Sequence, residues 1–542
     1  MKLSHLLIVF LLFPALLFSQ VRITGKVIGV DGKPPTLAHV HLKNIDLNVS
    51  DVLKTEKVKP DGSFEITADE VGAYYLLFTA VNHDYSMVPL IIEREIEPVH
   101  LTIKLASLPY KEKFDEVKIT GDWNDFSFKN PEIMTQQSDG TFIYERDVEA
   151  DTLAYQLLGL TKSPRSVNGT QSDRYIYDGG GDYRSIVKVN GGKAKIKFDP
   201  EKITHVPAEK NVVEVTFENN KDFQDMWAMH SLVSEHGKKY LNGMSEYRKT
   251  HEDVKGYTYD WNPVIEVLKQ KFESDAPLLV RQFAGCELAT LLMYRAKVDS
   301  TILAKVGEML PYESPLWAMN SNLPMMIHRG GDYLPQLLEQ LKERNPIRKV
   351  RATALSTLTL MADYKGEKEK AKRYYAELKE KYGDVREVEF ALKKLDPNKK
   401  IKVGARVPDF EVQLLDSEEK ISAKTLLGKY YLLDFWATWC GPCVGEMENL
   451  HKAYEQFKDK VQFISLSLDF QKEKIAEFRA KKWNMPWINA YLNEDPNKDV
   501  AKIFEVMAIP RPILVNHQGI IVAMEGDLRG AKLIDTLTKF VK

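Results

Sequence analysis

Cysteine is nearly missing from this chain, three residues in 542. That count excludes a fold built on disulfides, and it excludes a zinc site made of cysteines alone, which needs four ligands. A surplus of one charge is missing as well. The 75 Lys and Arg stand against 77 Asp and Glu, a formal net charge of −2 that gives no electrostatic footprint for nucleic acid or an anionic membrane surface. Long apolar runs are also lacking. The run at residues 6–18 is too short to span a bilayer comfortably, and no other segment approaches that length. It follows the short basic start Met1-Lys2-Leu3-Ser4-His5 and ends at the small Ser19 before Gln20, so a cleavable secretion signal is predicted over 1–19. No cysteine lies in this stretch, which excludes a lipoprotein signal, and no stable membrane anchor is expected. The expected location is a disulfide-permissive compartment, the bacterial periplasm.

What is present is concentrated at Trp439-Cys440-Gly441-Pro442-Cys443. Tyr430-Tyr431-Leu432-Leu433-Asp434-Phe435-Trp436 before it reads as a buried strand leading into a short turn. After it, Met447, Leu450, Ala453, Tyr454 and Phe457 recur at helical spacing. Cys440 therefore sits at a helix N-terminus, where unpaired N–H groups and the helix dipole favour a thiolate. Such placement lowers a cysteine pKa from about 8.5 toward roughly 3.5–7.5. The spacing predicts an accessible, nucleophilic Cys440 and a shielded Cys443, one turn inside, that resolves the mixed disulfide. A metal is the alternative use of two close cysteines, but Cys286 and a solvent-facing His451 do not complete a ligand set, so no metal and no cofactor are expected. A structural bridge is the other alternative. Closing so short a loop restrains the unfolded chain little.

Residues 401–542 resemble the thioredoxin fold and, within it, the secreted thiol-disulfide reductases typified by TlpA and ResA. The resemblance rests on Val407-Pro408-Asp409-Phe410-Glu411-Val412, on Phe435-Trp436-Ala437-Thr438-Trp439-Cys440, and on an inserted helix at 471–483. It implies a disulfide reductase acting on client proteins and re-reduced by a membrane electron donor of the thiol-reducing type. Asp434 falls where thioredoxin itself has a buried aspartate, the TlpA and ResA branch more often having asparagine; the likeness to thioredoxin implies a buried carboxylate of raised pKa that exchanges a proton with Cys443, although an aspartate pointing to water at a strand end is the plainer alternative. The neighbouring strand supplies serines where thioredoxin usually has a lysine. Ile509-Pro510 resembles the cis-proline facing the dithiol, which presents backbone to an extended client strand; an ordinary trans proline is the reading without the resemblance. Trp439, Gly441, Pro442 and Ile509 are then client-contacting residues. Arg511 is read either as a cation near Cys440 or as a solvent-facing side chain. Peroxiredoxins share the Val407–Phe410 entry, yet Ala437 occupies the place of the threonine that usually lies three residues before a peroxidatic cysteine.

Upstream, residues 20–106 alternate apolar and polar positions between turn signals such as Asp31-Gly32 and Pro60-Asp61-Gly62, which predicts a β-sandwich resembling accessory sandwiches of secreted Bacteroidetes proteins. Residues 107–204 form a second predicted β unit, resembling early-set immunoglobulin-like domains that include glycogen-binding modules. Trp123, Phe126 and the tyrosine-rich Arg174–Tyr177 have faces that could stack on sugar rings or a peptide, although such aromatics are more often core and edge residues. Gly179-Gly180-Gly181 reads as a flexible turn rather than a phosphate loop. Residues 205–400 read as helical. The pair at 348–382 resembles a tetratricopeptide unit without a sustained period, and Asp396-Pro397-Asn398-Lys399-Lys400 reads as a linker. Cys286 lies in an apolar helical pattern and is expected to be a buried, inert thiol.

The predicted fold class is multidomain: a signal at 1–19, two all-β sandwich-like domains at 20–106 and 107–204, an α-helical region at 205–400, and an α/β thioredoxin fold at 401–542. Two functions fit. One is an enzyme that reduces or exchanges client disulfides, its upstream domains positioning the client. The other is an envelope binding protein for a glycan or protein ligand, carrying an accessory redox module.

Overall fold

The computed structural model describes residues 20–45, 52–93, 97–162, 165–207, 209–251, 254, 256–327, 333–494 and 497–541. The secretion signal expected over 1–19 lies outside them. Among the described residues no helix is long and apolar enough to cross a membrane. The chain divides into two compact units, one running to Ala371 and the other beginning at Lys372.

In the first unit two four-stranded sheets face each other, as the alternating pattern of residues 20–106 requires. One runs Glu214–Phe217, Val99–Lys104, Val21–Ile28, Ser63–Ala68; the other runs Val52–Lys57, Ala38–Asn44, Gly72–Ala80, Ser86–Ile92. Gly72–Ala80 is buried at every position because it is covered on both faces. Its Tyr75 ring lies 5.5 Å from His230 on the helix Lys221–Thr250, and His230 Nδ1 is 2.9 Å from Glu287 Oε1. Helical structure therefore begins at Lys221 and not near 205. Glu214–Phe217, in the region expected to be helical, is a strand because its alternating Val215 and Phe217 close the edge of the first sheet.

The second β unit has its own core of Val117, Ile119, Tyr155, Leu157, Ile196 and Phe198. Its suggested ligand-stacking rings are engaged within the protein: Trp123 stacks on Tyr144 at 5.2 Å and Phe126 lies 3.8 Å from the Arg184 guanidinium. Tyr177 packs against His41 at 4.7 Å. Gly179 and Gly181, with φ of 89° and 106°, turn the chain between Arg174–Tyr177 and Tyr183–Lys188, a conformation that side-chain-bearing residues seldom adopt. Helices then follow at Asn262–Glu273, Leu278–Thr290, Ser300–Met309, Leu334–Arg344 and Arg348–Tyr364. Cys286 is fully buried in the helix Leu278–Thr290, where desolvation pushes its thiol pKa up.

The second unit is an α/β fold around a five-stranded sheet ordered Ile488–Tyr491, Val461–Ser467, Tyr430–Trp436, Arg511–Val515, Ile521–Met524. The first three strands are parallel and the last two antiparallel to their neighbours. Strand alternation divides the core. Leu432, Trp436, Phe463 and Leu514 point to the face covered by the helices Gly441–Phe457 and Lys532–Phe540. Tyr431, Leu433, Phe435, Ile464, Ile513 and Val515 point to the other, which Phe410, Leu426 and Phe504 cover. The segment read as a linker is tied into this unit. Lys400 N and Ile401 N donate to Glu505 at 3.2 and 3.4 Å, and Ile401 is buried. Together these elements form the thioredoxin-like domain.

Candidate active site

The central strand ends at Trp436, and the chain turns through Ala437-Thr438-Trp439 before the helix Gly441–Phe457 begins. Proline in the first turn of this helix costs nothing there, because the N–H it lacks would have no helical partner. Cys440 is the N-cap, and its Sγ accepts from Cys443 N at 3.2 Å. Cys440 and Cys443 are joined in a disulfide with their Cα atoms 5.2 Å apart. The exposure expected for Cys440 is not found in this oxidised form: Cys440 is 5% exposed and Cys443 2%. The exposed residues of the motif are Trp439, Gly441 and Pro442.

Asp434 follows the alternation of its strand. Leu432 and Trp436 on either side face the dithiol layer, so Asp434 does too, in register with Ser465 on one neighbour and Pro512 on the other. It is buried, and desolvation raises its pKa from 3.8 to about 7, with Arg529 pulling it down and Glu446 pushing it up. Glu446 Oε2 is held by Gly530 N at 2.8 Å and Asn449 Nδ2 at 2.9 Å. Arg529 donates through Nη2 to the carbonyl of Pro510. The Ile509–Pro510 peptide is cis, with Pro510 buried and Ile509 half-buried against the core.

Arg511 takes neither orientation expected of it. Paired with Phe435 across the strands, it shares the parity of Ile513 and Val515 and lies on the face away from the dithiol, buried, with Nη1 3.4 Å from Glu525 Oε1. Burial lowers its pKa. The cation that acts on Asp434 is Arg529. His451 does not face solvent freely either: it packs 5.1 Å from Trp483 and 4.9 Å from Trp487.

The serines of Val461–Ser467 also have defined partners. Ser465 Oγ accepts from Trp487 Nε1 at 2.8 Å, and Ser467 Oγ donates to Asp469 Oδ2 at 2.7 Å. Asp469 is buried and holds the turn before the dithiol, accepting Thr438 N at 3.1 Å and Thr438 Oγ1 at 2.6 Å. Glu446, Arg529 and Asp469 are functional candidates that motif reading missed. For Asp469 a signal was available in the two-residue spacing of Ser465, Ser467 and Asp469. Chemically, the arrangement is a dithiol/disulfide couple on a helix N-terminus, with a buried carboxylate on its inner side able to hold a proton near neutral pH.

Residues 403–524 match the AhpC/TSA family. The thiol-disulfide oxidoreductase ResA of Oceanobacillus iheyensis is 28% identical over 155 residues, 27% of this chain and 74% of that protein. ResA of Bacillus cereus is 31% identical over 124 residues, 23% of this chain and 69% of that protein. Among solved structures, the thioredoxin domain of a thiol-disulfide oxidoreductase from Bacteroides vulgatus is 33% identical, with 26% of this chain and 99% of that one covered and a TM-score of 0.24.

Proposed function

The chain belongs to the ResA-type thiol-disulfide oxidoreductases of the thioredoxin superfamily, and on that premise we propose that it is a periplasmic reductase of client-protein disulfides working through Cys440 and Cys443. The observation that carries this reading is the Cys440–Cys443 disulfide at the helix start, with the buried Asp434 on the inner face of the same layer.

In the reduced enzyme the Cys440 thiolate attacks one sulfur of a client disulfide, forming a mixed disulfide and releasing the first client thiolate. The Cys443 thiol passes its proton to the Asp434 carboxylate. The resulting thiolate attacks Cys440 Sγ, closing the enzyme disulfide and releasing the second client thiolate. Two electrons pass to the client, and a membrane donor of the thiol-reducing type returns them. A carboxylate with pKa near 7 suits this exchange because both of its protonation states are populated at neutral pH. Trp439, Gly441, Pro442 and Ile509 meet the client, while the upstream β and helical regions select or position it.

Direction is tested by equilibrating the enzyme with glutathione. A potential below about −220 mV is expected of a reductase, and one around −120 mV would make the enzyme an oxidant and overturn the proposal.

A further inference from the structure

Phe470 is 81% exposed and Trp439 56% exposed, yet their rings stack on each other with centroids 5.7 Å apart and planes 19° apart. Each ring stands next to one end of the same buried bracket. Trp439 follows Thr438, whose N–H and hydroxyl both donate to the Asp469 carboxylate. Phe470 follows Asp469 itself, whose backbone is fixed by Ser467 Oγ at 3.1 Å and Asn493 Nδ2 at 2.8 Å. The bracket thus fixes the two ring-bearing residues relative to each other and to Cys440, the next residue after Trp439. Residues 437–445 and 506–510 contain no ionisable side chain other than the two cysteines, and beyond Phe470 the charges of Lys472 and Glu494 pair with each other at 3.2 Å. Met507 and Ala508, just before Ile509-Pro510, are exposed and apolar as well. An exposed stacked pair of this kind offers aromatic faces and edges to an incoming apolar group.

We propose that Phe470 and Trp439 form an aromatic clamp for an apolar side chain flanking the client cysteine, which makes the enzyme selective for disulfides in unfolded, apolar segments over small polar disulfides. The inference rests on the reductase reading above and adds the client class to it. An apolar residue beside the client cysteine lies within reach of the rings when the client sulfur approaches Cys440, and its burial there offsets the cost of ordering the client chain.

The test uses the full reduced chain and three probes: a peptide disulfide whose cysteines are flanked by leucine and phenylalanine, the same peptide with serine in their place, and glutathione disulfide. Wild type is expected to prefer the apolar peptide. Phe470→Ala should lower kcat/KM for that peptide about tenfold while leaving the other two within about twofold, and Phe470→Tyr should restore the preference. Equal losses on all three probes would mean that Phe470 serves only the local structure, and no loss on any would remove it from recognition; either result overturns the clamp. If wild type reduces none of the probes, the reductase reading fails and takes the inference with it. If it reduces all three equally, the clamp alone is refuted.

Discussion

Replacing Asp434 with asparagine should make the redox domain more stable and less active, and both effects follow from its burial. The folded-state pKa of about 7 lies above the ordinary 3.8, so between these values the folded chain keeps a proton that the unfolded chain has released. Stability conferred by the protonated carboxyl is therefore complete below pH 4 and is lost as pH rises toward 7. At roughly 1.36 kcal/mol per pKa unit the full loss is about 4 kcal/mol. Asparagine is the nearest neutral stand-in for the protonated carboxyl and carries no such dependence. Urea unfolding of the oxidised 372–542 fragment, which corresponds to the second compact unit, should give nearly equal stabilities for the two proteins near pH 4. The variant should lead by about 4 kcal/mol above pH 7.5. Using the disulfide form removes cysteine titration from the comparison. In the reduced enzyme, stopped-flow measurement of mixed-disulfide resolution should find the variant about 100-fold slower at pH 7. Its rate should recover with rising pH as the Cys443 thiol ionises without help. A stability difference that does not change with pH would refute the desolvation argument, and an unchanged resolution rate would remove Asp434 from the chemistry.

The neighbours of Asp434 should move its titration in opposite directions. Glu446→Gln removes a nearby negative charge and should shift the rising limb of the resolution pH profile to lower pH, whereas Arg529→Met should shift it to higher pH; profiles that do not move would deny the electrostatic contact. Asp469→Ala leaves the Thr438 N–H and the Thr438 and Ser467 hydroxyls without their acceptor, so unfolding should become easier by about 1–3 kcal/mol for each group left unsatisfied. Unlike Phe470→Ala, it should slow all disulfide probes alike. In the reduced full chain near neutral pH, iodoacetamide should label Cys440 first and Cys443 far more slowly, leaving the folded chain's Cys286 untouched; peptide mapping that finds Cys443 or Cys286 first would overturn the assignment of the nucleophile.

The dithiol and its helix were legible in the sequence because they depend on local order: two cysteines at a helix start carry their geometry in their spacing. The burial of Asp434 was implied by the resemblance to thioredoxin, since an apolar strand buried on both faces does not show to which side a residue points. Arg511 was not legible. Its side is decided by cross-strand pairing with Phe435, and a one-residue change of register turns every side chain of a strand to the other face. Glu446 approaches Asp434 from the helix that follows its strand and Arg529 from a turn distant in sequence, so their combined effect exists only once the domain has closed. Glu214–Phe217 was hidden for a related reason: four residues are too few to display a period, and their strand character comes from pairing with Val99–Lys104. Nothing in the local sequence marks Phe470, since exposure has no local signature.

The mixed disulfide at Cys440 is the species that only a Cys440 nucleophile can form. Full-length Cys443→Ser, reduced and then mixed with insulin, should accumulate a covalent complex that dithiothreitol releases, and mass spectrometry should find the enzyme's bond at Cys440. Failure to form the complex, or a bond through Cys286, would contradict the account.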